Sequence, residues 1–322
     1  MAERRYPFLE LTSEEIADRV NSAVGGIVIV QSDPVPSGAA NTLYRVADAE
    51  RREYCLKLYT RDRDACARET ALLRRAHGRV PVPRVLGRVL DAEVPFAVLS
   101  WEPGRTLATV LPDVSPVTAA RLGQVLGRVL AGIHEDGFDR TGELHAGALD
   151  GDMTVTPWPG EGISWYVREA LGSQAGQRLG PEIAERLLAF CLEHADEIDR
   201  ECKATNLVHG DFNPSNILVE REGRDFRVTA VVDWEWSHSG TPLHDFGNIL
   251  RDRGGWPTDD FREALVAAYE EVAGPLPESW ERKADLLEFT SALEFLNQKE
   301  DRPGYQAGAA KRIRMALDRW TR

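Results

Sequence analysis

Lysine is scarce in this chain. Only five of its 39 basic residues are lysines, so each one draws inspection. Cysteine is scarce too. Cys55, Cys66, Cys191 and Cys202 form no close pair, which leads us to expect reduced thiols and no zinc site. No apolar run reaches the roughly 20 residues of a membrane-spanning helix. The opening stretch MAERRYPFLELTSEE has two arginines but no apolar segment behind them, so it does not read as a signal peptide. A cytoplasmic protein without a membrane partner is therefore expected. No Lys/Arg cluster offers a face to nucleic acid, and the net charge is −13 with a pI near 5.1. Acidity of that size fits solubility, and it also fits a cleft that attracts cations. No repeat or low-complexity tract occurs. What remains is an ordinary globular composition, 43% hydrophobic and 28% charged, over 322 residues. That is enough for one large domain or two lobes with a substantial core. Oligomeric state leaves no mark in the sequence.

The periodicity changes along the chain. LTSEEIADRVNSAV opens with Thr12 and Glu15 at capping-box spacing and reads as a helix. GIVIVQSD, NTLYRV and EYCLKLY read as strands, RDACARETALLRRA as a helix, and PRVLGRVLD and PFAVLSW as two more strands. Pro103-Gly104 breaks the pattern, and helices dominate beyond it. VTAARLGQVLGRVLAGIHE carries a buried face of Leu122, Val125, Leu126, Val129, Leu130 and Ile133. GDMTVTPWPGEG reads as a loop or cover, PEIAERLLAFCLEHADEI as one helix, and RDFRVTAVVDW as a strand. The C-terminal third is helical, with breaks at Gly274-Pro275 and Pro303-Gly304. The expectation is an α+β, bilobal architecture. Residues 1–101 form a small β-rich lobe, residues 102–322 a larger and mainly helical one, and a ligand cleft lies between them.

Five features fall into one order. VHGDFNPSNILV, from Val208 to Val219, has the HxDxxxxN spacing of a kinase catalytic loop. In it Asp211 is placed to accept a hydroxyl proton, Asn216 to hold Mg²⁺, and His209 to fix the loop. Asp233 ends a strand seventeen residues after Asn216, where a second metal-binding carboxylate is needed. A turn cap would be its bland role. Lys57 lies on the third strand, and Glu69 lies on the following helix. Such an ion pair places a lysine on the α/β-phosphates, although an exposed strand lysine would explain Lys57 taken alone. Ser37 and Gly38 sit in PSGAAN, where small residues let the backbone approach phosphates, with no GxGxxG pattern. Ser100 to Glu102 form an extended hinge whose backbone would meet an adenine edge.

HGDFNPSN followed by VVDWEWSHSGTPLHDFGN, with support from YCLKLY and VPVPRVLG, resembles the aminoglycoside phosphotransferase and choline kinase superfamily. The resemblance runs from about Val28 into the C-terminal helices and implies a protein-kinase-like fold. It implies that Asp211 is the catalytic aspartate, that Asn216 and Asp233 bind Mg²⁺, and that Lys57 holds ATP phosphates and pairs with Glu69. GTP is not excluded as donor. Asp245 would support the catalytic loop. PSGAAN departs from the family's phosphate loop. Asp233 is followed by Trp234, and only twelve residues separate it from Asp245, so there is little room for a peptide-binding activation loop. A small hydroxyl-bearing acceptor fits better. Relatives of this kind phosphorylate aminoglycosides, peptide antibiotics, macrolides, choline, homoserine or sugars. The acid excess favours a cationic antibiotic, hence a role in resistance, with Glu235, Glu288 and Glu294 as acceptor-binding carboxylates. A metabolic small-molecule kinase is the second reading. A silent nucleotide-binding regulator is the third, and the intact Lys57, Asp211, Asn216 and Asp233 weigh against it. Trp158, Trp234 and Trp236 would serve either as pocket walls or as core.

Overall fold

The computed structural model describes residues 7–36, 41–147, 151–158, 162–251, 256, 258–299 and 302–320. The small lobe runs α1 (Ser13–Val24), β1 (Ile29–Val35), β2 (Thr42–Asp48), β3 (Glu53–Leu58), α2 (Arg63–Ala76), β4 (Val85–Val89) and β5 (Phe96–Ser100). Its five strands form one antiparallel sheet in the order β1-β2-β3-β5-β4. The capping box starts α1, with Thr12 Oγ1 accepting the Glu15 N–H at 3.2 Å and Glu15 Oε2 accepting the Thr12 N–H at 2.7 Å.

β3 is buried on both faces, and its period of two sorts its side chains. Leu56 and Leu58 pack with Ile16 and Val20 of α1 in one core cluster. Cys55 and Tyr59 belong to the other cluster, with Cys66, Leu72 and Leu73 of α2. Lys57 shares that second face, so strand geometry alone turns it toward α2.

The second cluster runs on into the large lobe. There the strand Arg105–Thr106 joins Ile217–Glu222 and Asp225–Val231 in a three-stranded sheet. The helix Pro116–His134 lies against Asp259–Ala273, with Leu122, Leu126, Leu130 and Ile133 buried and Val125 and Val129 partly so. The helices Trp280–Leu296 and Pro303–Trp320 complete the C-terminal third.

Two segments depart from the sequence expectation. GDMTVTPWPGEG is not all loop. Met153–Thr156, rich in β-branched residues, forms a strand that pairs with Gly142–Ala146, and that strand pairs in turn with His238–Gly240. PEIAERLLAFCLEHADEI is two helices, because His194 (φ −105°, ψ 9°) ends Pro181–Glu193 and precedes Ala195–Glu201. All four cysteines are free. Among the described residues no helix is long and apolar enough to cross a membrane.

Candidate active site

The loop after the strand Asn206–Val208 is built around one buried carboxylate. Asp245 Oδ2 accepts the His209 N–H at 2.8 Å, and its Oδ1 accepts the Gly210 N–H at 2.9 Å. His134 Nε2 lies 3.1 Å from Oδ2, and Tyr269 backs its other ring nitrogen. Burial would raise the Asp245 pKa, but the His134 ring and the loop N–H outweigh it and bring it down to about 2. His209 is a fixed strut. Its Nε2–H donates to Val232 O at 3.2 Å while Nδ1 accepts the Asp211 N–H at 3.2 Å, and burial lowers its pKa and keeps it neutral. Gly210 sits at φ +80°, and a Cβ there would fall 2.2 Å from Trp236 O, so only glycine fits.

The Asp211 side chain then meets two amides. Asn213 Nδ2 donates to its Oδ1 at 2.6 Å, and Asn216 Nδ2 donates to its Oδ2 at 2.8 Å. Burial and the nearby Asp233 charge raise the carboxyl to about 7, against those amides and Arg251. Asn216 Nδ2 also donates to Asp211 O at 3.0 Å, so both its hydrogens are used and its side-chain oxygen is the atom left for a cation.

Asp233 occupies the left-handed region (φ 67°, ψ 58°), a strained conformation for a residue with a Cβ. Its Oδ1 lies 2.9 Å from Lys57 Nζ, and Lys57 Nζ lies 2.7 Å from Glu69 Oε2. The helix glutamate also takes the Trp234 N–H on Oε1 at 3.3 Å. Burial would lower the Lys57 pKa, but Asp233 and Glu69 more than reverse this, so it is held as an ammonium. Burial likewise opposes the Asp233 charge, and Lys57 restores it, leaving its pKa lowered. Among the described residues no group of three or more His, Cys, Asp or Glu could hold a metal. Two oxygen donors, from Asn216 and Asp233, nonetheless match what Mg²⁺ takes from a protein when phosphates supply the rest.

The other expected residues divide. Ser37 and Gly38 lie outside the described residues. At the hinge, the Ser100 N–H goes to Arg84 O at 2.9 Å and the Trp101 N–H to Glu53 O at 3.4 Å. The Ser100 hydroxyl pairs with Glu102 Oε1. Among the described residues the Glu102 N–H has no hydrogen-bond partner. Glu235 is buried, receives Asn41 Nδ2 at 3.1 Å and lies 3.5 Å from Arg61; burial and Asp233 raise its pKa. Glu288 is buried between Arg251 and Arg312. Glu294 is exposed on the same helix. Trp234 is fully buried against His209, whereas Trp236 and Trp158 are exposed. Sequence reasoning missed Asn213, His134, Tyr269 and Asn41. Only Asn213 left a signal, the turn-forming Asn-Pro step.

The family model of the phosphotransferase enzyme family matches residues 33–284. Among solved structures, a candidate fructosamine-3-kinase from Thermobifida fusca YX-ER1 is 20% identical with a TM-score of 0.65, covering 95% of this chain and all of that one. A thermostable mutant of aminoglycoside phosphotransferase APH(4)-Ia, in ternary complex with AMP-PNP and hygromycin B, is 18% identical with a TM-score of 0.66, covering 94% and 98%. The streptomycin–ATP–APH(2")-IIa ternary complex is 18% identical with a TM-score of 0.63, covering 96% and 97%. At such identities the likeness establishes the bilobal kinase-like fold. Acyl-CoA dehydrogenase family member 11 of Rattus norvegicus is 28% identical over 174 residues, 52% of this chain and 20% of that protein. The chain thus spans about a fifth of the curated relatives it matches.

Proposed function

The chain belongs to the phosphotransferase enzyme family, and from that premise we propose that it transfers the γ-phosphoryl group of ATP to a hydroxyl of a small polar acceptor. One observation carries the reading. Lys57 bridges Glu69 and Asp233 at 2.7 and 2.9 Å, at the mouth of the loop that presents Asp211. A buried ammonium held between two carboxylates from different lobes is costly unless a site needs it. Phosphoryl transfer does, because its catalysis is mostly positioning and charge neutralisation.

In this reading Asp211 accepts the acceptor's hydroxyl proton and aligns its oxygen. Its amide contacts from Asn213 and Asn216 fix the carboxylate's direction. Lys57 sits where it can neutralise phosphate oxygens, and Glu69 sets its direction. The Glu102 N–H is the hinge donor for the base. Asn216 and Asp233 would hold Mg²⁺, which neutralises the oxygens of the transferring group.

For the acceptor, the acid excess favours a cationic antibiotic such as an aminoglycoside or a basic peptide. Choline, an amino alcohol, homoserine or a sugar is the alternative. Two of the three candidate carboxylates give the cation no support, because Glu235 and Glu288 are already paired inside the protein. The test is ADP release from Mg-ATP across aminoglycosides, cationic peptides, macrolides, choline, homoserine and sugars. Turnover that needs an acceptor and disappears in Asp211→Asn supports the reading and names the class. Turnover that survives in Asp211→Asn contradicts the assignment.

A further inference from the structure

We infer that the helical lobe carries a second ligand site, away from the cleft, that takes one small oxyanion between Arg251 and Arg312. The two side chains line one cavity of about 60 Å³ beside the helices Trp280–Leu296 and Pro303–Trp320. That is about twice one water's share of liquid volume. Among the described residues none of its walls comes from the small lobe, the loop of Asp211 or the turn of Asp233. Two guanidiniums there share a single carboxylate. Arg251 Nη2 lies 2.5 Å from Glu288 Oε2, and Arg312 Nε lies 3.2 Å from Glu288 Oε1. The cavity's other arginines are matched one to one, Arg262 with Glu281 and Arg319 with Asp285, each at 3.0 Å. One positive charge is therefore left over, inside a chain whose net charge is −13.

Hydrogen bonding repeats the imbalance. Among the described residues Arg251 Nε and Arg312 Nε are buried donors with no acceptor in line. A buried donor left so is costly. Burial and the Arg251 charge both lower the Arg312 pKa, and Glu288 only partly offsets them. A water would satisfy the donors but leave the charge. An oxyanion answers both, because its oxygens accept from two guanidinium forks at once. Arg251 has a second duty. Its Nη2 also donates to Asn248 Oδ1 at 2.7 Å, and Asn248 Nδ2 donates to Gly210 O at 3.1 Å, so Arg251 ties the site to the loop of Asp211. Arg312 makes no contact of that kind among the described residues, so it is the arginine to change.

Inorganic phosphate is the probe, read by calorimetry and by urea denaturation at constant ionic strength. Phosphate should bind the wild-type chain saturably and raise its urea midpoint. Arg312→Met removes the surplus charge, so it should fold normally and lose about tenfold or more in phosphate affinity. Glu288→Gln enlarges the surplus and should bind phosphate about tenfold more tightly. Exclusion of phosphate from the protein surface would act alike on all three proteins, and chloride would match phosphate if screening alone were at work. Equal shifts with chloride would overturn the inference. So would phosphate affinity that survives in Arg312→Met, which is the outcome if phosphate enters only the nucleotide cleft. Should Arg312→Met fail to fold, Glu288→Gln decides alone, and binding no tighter than wild type would sink the site.

Discussion

At the scale of single residues, the loop depends on groups that touch no substrate. Asp245 ties two consecutive N–H groups of the loop to His134, so Asp245→Ala strips a buried imidazole and two amides of their partner. The expected loss is about 3 kcal/mol, read from the denaturation midpoint. A loss below a few tenths would mean that the loop is held otherwise. Asp211→Asn differs in kind. The amide retains the shape and much of the hydrogen bonding but cannot take a proton, so nucleotide binding should persist while turnover falls by about a thousandfold. Equal losses in binding and turnover would assign Asp211 a structural part only. The sequence already carried Asp211, Asn216 and Asp233, because their spacing follows the chain. Asn41 and His134 were illegible, since each matters through a partner more than a hundred residues away.

At the scale of elements, two packing arrangements fix the positions of helices. The helix Pro116–His134 crosses Asp259–Ala273 so closely that a Cβ on Gly127 would fall 2.3 Å from Leu265 O. Gly127→Ala should force the pair apart and cost about 2 kcal/mol despite alanine's better helix propensity. A stabilised variant would contradict that packing. The helix α2, which carries Glu69, is pinned at its far end. Arg75 Nε and Arg79 reach Asp136 of the large lobe, each at 2.6 Å. Both arginines are a third exposed, so solvent screens the pairs, and Asp136→Ala should cost only about 1–2 kcal/mol. Its sharper signature would be faster amide exchange along α2, which loses its anchor. The order of elements in the small lobe was readable because each segment holds its period long enough to declare it. The hairpin of Gly142–Ala146 with Met153–Thr156 was not, because its strands are four or five residues long and the surrounding Gly and Pro read as loop.

At the scale of the whole molecule, acid should unfold the chain in two stages. Burial, with His238 beside it, lowers His244 to about 3, against about 6.5 for a free imidazole. As pH falls below about 6.5, the unfolded state takes a proton that the fold refuses. Stability then drops by on the order of 1 kcal/mol per pH unit for such a group. Asp245, depressed to about 2, adds stability that is complete above pH of about 4 and is lost as pH falls from there toward 2. Asp211, raised to about 7, acts with the opposite sign over much of the same window, because the fold holds a proton there that the unfolded chain releases. The first stage is therefore read in Asp211→Asn, where urea midpoints that stay flat between pH 8 and pH 4 would contradict it. A net charge of −13 says that the surface is acidic, but it does not say which carboxylates face the cleft. Pairing inside the fold, as at Glu288, decides that, and composition does not record it.

The central claim is that Lys57, Asp211, Asn216 and Asp233 form one Mg-nucleotide site. ATP affinity measured with and without Mg²⁺, in the wild-type chain and in Asn216→Ala and Asp233→Ala, tests it most directly. Mg²⁺ should strengthen ATP binding in the wild type, and each substitution should abolish that gain while leaving a weaker, Mg²⁺-independent affinity. A wild type indifferent to Mg²⁺, or variants that keep the full gain, would contradict the account.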